Sequence, residues 1–143
     1  MSIQHPSIRH RTPPQGLWFT AWSSEQPHCA FDADSNSGLT YLLPVLGATA
    51  TLLLHRLGSQ LRAERLIWWE LGELAQHFGL GSGQAVGVNH PLWKATVRLS
   101  MFGYLRQPVG HPDVYEVRTR IPPLARRHVA RLPIALQAKA PQV

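Results

Sequence analysis

The stretch from Glu70 to Ile121 does most to limit what this chain can become, because its hydrophobic spacing switches from helical to strand-like at well-placed breakers. Leu71, Leu74, Ala75 and Phe78 recur three and four residues apart and predict one buried face of a helix over about Glu70 to Phe78. Glu70 and Glu73 sit in its first turn, where negative charge suits the helix dipole. Gly79 offers a C-cap, and Leu80 folds back onto the last turn. A second helix opens with Asn89-His90-Pro91, an N-cap candidate followed by a proline whose missing N–H costs nothing in a first turn. Its inward stripe is Leu92, Ala95, Leu99 and Phe102, with Trp93, Val97 and Met101 as a flanking row. His90, Lys94 and Arg98 point away from that stripe. After Gly103, residues 104–107 and 114–121 alternate apolar and polar, which is the period of a strand, and Pro108 to Asp113 between them is turn chemistry. The result is a β-hairpin with Tyr115, Val117, Thr119 and Ile121 on one face and Glu116, Arg118 and Arg120 on the other.

Upstream, Pro44 and Gly47 interrupt the apolar run that starts at Leu39, so a regular helix is expected from Ala48 to Ala63 on Leu53, Leu54, Leu57 and Leu61. Leu66 to Trp69 suits a short strand. Residues 1–15, with three prolines and Arg9, His10 and Arg11, read as a loosely attached arm. Leu17, Trp18, Phe19 and Trp22, answered by Ala30-Phe31 across Ser23 to Pro27, read as an aromatic hairpin docked on the domain or on another copy. The expected division is an arm with hairpin over 1–38 and one domain over 39–143. Ala125 to Arg131 and Ile134 to Ala140 are the last helical pieces, the first displaying Arg126, Arg127 and Arg131.

Charge is unevenly spread. Residues 1–89 hold five Lys/Arg against six Asp/Glu, a balance of −1, whereas residues 90–143 hold nine against two, a balance of +7. Such a basic half fits a polyanionic partner, nucleic acid above all, or a solvated basic face. Twelve of the fourteen cationic residues are arginine, the usage of a GC-rich bacterial genome. The lone Cys29 excludes an internal disulfide and fits a reducing compartment. The Leu39 to Leu54 run is shorter than the roughly 18–20 residues a membrane span needs, so a cytoplasmic protein without membrane contact is expected.

Eight histidines fall in different elements without metal-ligand spacing, and no nucleophile–base–orienter set is visible, so neither a metal, a cofactor, a small-molecule ligand nor an enzymatic activity is expected. The glycine-rich Gly81 to Val88 segment follows a helix and lacks a Gly-Lys-Ser/Thr triplet, which excludes a nucleotide-phosphate loop; an elongated turn remains.

The run Leu71-Gly72-Glu73-Leu74-Ala75-Gln76-His77-Phe78-Gly79-Leu80, followed by a helix and a hairpin, resembles the winged helix-turn-helix domain of bacterial DNA-binding regulators. The resemblance covers roughly Ala48 to Ile121, and the long Gly81 to Val88 turn departs from it. It implies a mainly α fold with a small β-wing: a three-helix core, a β-hairpin and a C-terminal helix. It further implies sequence-specific binding of double-stranded DNA by a homodimeric transcriptional regulator, with the 89–102 helix in the major groove and the 104–121 hairpin as the wing. The residues assigned to DNA on this reading are Asn89, His90, Trp93, Lys94 and Arg98 on the helix and Arg106, His111, Arg118 and Arg120 on the hairpin. The alternative for Arg98 is an internal pair with Glu73. The alternative for the whole domain is a protein–protein adaptor that does not bind DNA.

Overall fold

The strand Gly16–Ala21 (β1) runs through the middle of a four-stranded sheet. The computed structural model describes residues 12–23, 28–81 and 85–141. Along them follow β2 (Phe31–Asp32), α1 (Asn36–Leu46), α2 (Ala48–Ala63), β3 (Leu66–Glu70), α3 (Leu71–His77) and α4 (Pro91–Met101). The C-terminal third adds β4 (Leu105–Arg106), β5 (Val114–Val117), β6 (Arg120–Ile121), α5 (Arg126–Val129) and α6 (Ile134–Gln137).

The sheet order is β3-β1-β5-β4. β1 is antiparallel to β3 and parallel to β5, and β5 is antiparallel to β4. A short second sheet joins β2 to β6. The winged helix-turn-helix expectation is therefore wrong: this is a mixed α/β fold, not a mainly α one. The cause is the segment assigned to a peripheral hairpin. β1 and β2 do not pair with each other; β1 fills the slot between β3 and β5, and β2 closes on β6. The expected turn at Ser23 to Pro27 falls largely outside the described residues, as do residues 1–11 of the arm and residues 82–84 of the glycine-rich turn.

Alternation decides which face of β1 is buried. Leu17 and Phe19 are 0% and 1% exposed, while Trp18 between them points out to solvent beside its cross-strand partner Trp68. Burying each of the two inward side chains contributes about 1.5–3 kcal/mol, a strong reason for this strand to leave the periphery. Gly16 lets the Trp68 ring lie directly on the backbone, since a Cβ there would meet that ring at 2.2 Å and push it aside. Against the inner face lies α2, touching β1, β3 and β5, with α1 and α4 packed along α2.

The helix α1 departs from expectation. Ser35 caps it, its Oγ accepting from the Gly38 N–H at 3.0 Å, and the helix continues through Pro44 because Leu42, Val45 and Leu46 are buried just around it. Gly47, at φ 84° and ψ 166°, then breaks the helix and starts α2 at once. That backbone region is essentially reserved for glycine. Ala48–Ala63, Leu66–Glu70 and the β4–β5 hairpin lie where periodicity puts them. The hairpin is shorter than expected and shares β5 with β1, so it is part of a sheet rather than a free wing.

Candidate nucleic-acid interface

α4 is held from two sides, and this decides what it can present. Leu92, Trp93, Ala95, Thr96, Val97 and Leu99, six of its eleven residues, are buried. The exposed remainder is a narrow strip of Pro91, Lys94, Arg98 and Met101. Its N-cap is His90, one residue later than the expected Asn89: His90 Nδ1 accepts from the Leu92 N–H at 3.0 Å. The other ring nitrogen then carries the proton and donates to the Leu80 carbonyl at 2.9 Å. His90 thus ties the end of α3 to the start of α4 and is a structural residue.

The exposed strip of α4 lines a groove of about 700 Å³. The facing wall is Leu46 to Ala50, where α1 gives way to α2. Asn89, Trp93, Phe102 and Arg131 complete the part that matters chemically. Lys94, Arg98 and Arg131 bring positive charge to it, and among the described residues its lining includes no carboxylate, imidazole or thiol. Charge and hydrogen-bond donors are what this groove has to offer. Arg98 does not pair with Glu73; its Nη2 donates to the Val45 carbonyl at 3.3 Å, and its guanidinium lies 5.5 Å from the Phe102 ring centre. Arg131 approaches the same ring at 5.8 Å.

One residue further on, the Gly103 carbonyl accepts from Arg118 Nε at 3.0 Å. Arg118 in turn lies 3.9 Å from the centre of the Trp22 ring, and Arg106 lies 4.0 Å from that same centre. Two guanidinium groups that close must take opposite faces of the indole, which offers each a cation–π contact of about 0.5–2 kcal/mol. Arg106 also pairs with Glu116 at 2.7 Å. Burial first, and then Arg106, push the Arg118 pKa below the usual guanidinium value. Two arginine–aromatic clusters result, Arg98 and Arg131 about Phe102 with Lys94 on the same groove, and Arg106 and Arg118 about Trp22, joined where Arg118 binds the backbone of Gly103 next to Phe102.

Comparison of the chain with protein-family models, curated proteins and solved structures found no match.

Of the nine residues assigned to DNA, the groove brings together Asn89, Trp93, Lys94 and Arg98. Trp93 belongs to the core at 1% exposure, so it has no surface to offer a duplex. Arg106 is exposed but lies on Trp22 and pairs with Glu116, and the half-buried Arg118 lies on the same indole. His111 and Arg120 are exposed, but neither lines the groove, and Arg120 sits opposite Asp32 in the second sheet. Sequence reasoning identifies Arg131 and Trp22 only as a basic helix residue and as one of an aromatic patch. No local signal joins either to α4, since the interactions are between segments far apart in the chain. Among the described residues no helix is long and apolar enough to cross a membrane.

Proposed function

We propose that this protein binds nucleic acid by its phosphates, along the track that runs from Lys94 to Arg106. The observation that carries the reading is the linked series of guanidinium groups held on the rings of Phe102 and Trp22. Ring contact restrains these guanidinium groups, and arginine's fork matches a phosphate oxygen pair; because Arg106 is paired with Glu116 and Arg118 donates to the Gly103 carbonyl, the phosphate contacts fall mainly to Lys94, Arg98 and Arg131. Aromatic side chains among cations are also the surface on which nucleic acids are commonly held. Insertion of α4 into a major groove is not part of this proposal. A groove about 12 Å wide and 8.5 Å deep admits a helix that stands proud of its domain, whereas α4 exposes only one strip, along a concave wall.

One observation favours a second reading, that of a protein-binding adaptor. Trp18 on β1 and Trp68 and Leu66 on the edge strand β3 are 40%, 49% and 52% exposed on the outer sheet face. Fluorescence anisotropy with a labelled mixed-sequence duplex, and with its single strands, separates the two. Phosphate recognition predicts binding at low salt and loss of about tenfold or more in affinity between 50 and 200 mM salt. No binding at low salt leaves the adaptor reading and removes the first.

A further inference from the structure

Lys94, Arg98 and Arg131 are all exposed on the groove, and among the described residues none of the three pairs with a carboxylate. Three uncompensated cations around one concavity call for an anionic occupant. Lys94 and Arg98 stand about 6 Å apart along the axis of α4, at about 1.5 Å per residue. Charge is only half of what the groove offers. Val88 and Met101, 40% and 57% exposed, line it too, and they bracket the α4 cations in the chain: Val88 comes just before the helix and Met101 ends it. The occupant that fits has to bring closely repeated negative charges and apolar surface beside them.

We infer that the groove receives a single strand of nucleic acid, with its phosphates on Lys94, Arg98 and Arg131 and its unpaired bases against Val88 and Met101. This rests on the phosphate binding proposed above and names the form of nucleic acid that the site takes. A strand without a complement exposes base faces beside its phosphates, the combination that the groove matches. A duplex keeps its bases stacked inside; it can lay its backbone on the three cations but leaves Val88 and Met101 in water. The groove, about 700 Å³, has the size of sites that enclose a small ligand, about 300–1,000 Å³. That is room for individual bases and too little for a duplex to enter. An acidic polypeptide meets the cations as well, but it brings no flat apolar groups between its carboxylates.

Fluorescence anisotropy of the full chain with three labelled probes tests it: oligothymidylate, an abasic strand with the same number of phosphates, and a duplex of the same length. Oligothymidylate is expected to bind tighter than the abasic strand by about tenfold or more, through burial of base surface. It is also expected to bind no more weakly than the duplex, although the duplex carries more phosphates. Val88→Thr with Met101→Gln keeps the size of two exposed side chains and makes both polar. That double variant is expected to lose about fivefold or more in affinity for oligothymidylate and to bind the abasic strand as the wild type does. Lys94→Ala with Arg98→Ala is expected to weaken both strands. Equal binding of oligothymidylate and the abasic strand, tighter binding of the duplex, or oligothymidylate binding indifferent to either double variant overturns the inference. So does polyglutamate that competes as well as unlabelled oligothymidylate of equal charge. An abasic strand that binds at low salt as tightly as oligothymidylate leaves phosphate binding standing and removes only the inference, whereas no binding of any probe removes both.

Discussion

His128 shows how the basic surface acts on a single residue. Its ring lies 5.0 Å from Phe102, the ring that Arg131 of the groove also approaches. Burial, and then the charges of Arg127 and Arg131, push its pKa below the ordinary histidine value. The unfolded chain therefore takes up the proton first as pH falls below about 6.5, and the folded state loses stability there; above that pH both states are neutral at this site. The melting temperature of the wild type is expected to fall between about pH 7.5 and about pH 5.5 by more than that of His128→Phe. Equal pH dependence in the two would contradict this placement. Residues of this kind also mark where the sequence stops being informative. Helical phase alone puts Lys94 and Arg98 on the solvent side of α4, and the structure agrees. The same phase leaves Trp93 on a flank, whereas the folded structure buries it. Arg106 and Arg118 look free in the sequence because their partner, Trp22, belongs to a distant segment.

Among the elements, those set by local rules were legible and those set by pairing were not. The stripe of leucines in Ala48–Ala63 and the alternation around Val114–Val117 identify α2 and β5 without knowledge of the rest. β1 has the same kind of alternation, but nothing local says that it pairs on both sides, parallel with β5 and antiparallel with β3. Its central position has a direct consequence. Phe19→Ala is expected to destabilise the protein by about 3–5 kcal/mol, as a cavity in a shared core does. Denaturant unfolding of the variant measures this, and a loss under about 1 kcal/mol would return the segment to the role of an appendage. The junction of α1 and α2 makes a second case. Nothing lies within 4 Å of a Cβ built on Gly47, so Gly47→Ala meets only backbone strain, from φ 84°. A cost of about 1–3 kcal/mol is expected by the same measurement, and an unchanged midpoint would show that the chain can leave this conformation freely.

At the scale of the whole molecule, the basic half of the chain and the sheet have to be considered together. A charge balance of +7 over residues 90–143 is visible in the sequence, but not how it is distributed in space. Reading helix, turn, helix and hairpin as a complete domain leaves out the strand that enters from the N-terminal side, and with it the indole that holds two of the arginines. The mixed sheet turns the expected wing into an interior strand, β5, and an edge strand, β4, and the burial of α4 turns the expected reading head into one wall of a groove. What remains to be separated is a built phosphate track from diffuse attraction by a cationic protein. Two charge-matched triple variants do this most directly: Lys94→Ala with Arg98→Ala and Arg131→Ala, against Arg65→Ala with Arg120→Ala and Lys139→Ala. The slope of log affinity for duplex DNA against log salt is expected to become shallower by about 2 to 3 in the groove variant, near 0.9 for each phosphate no longer neutralised, and to change by less than about 1 in the control. Equal slopes in the two variants would contradict the account.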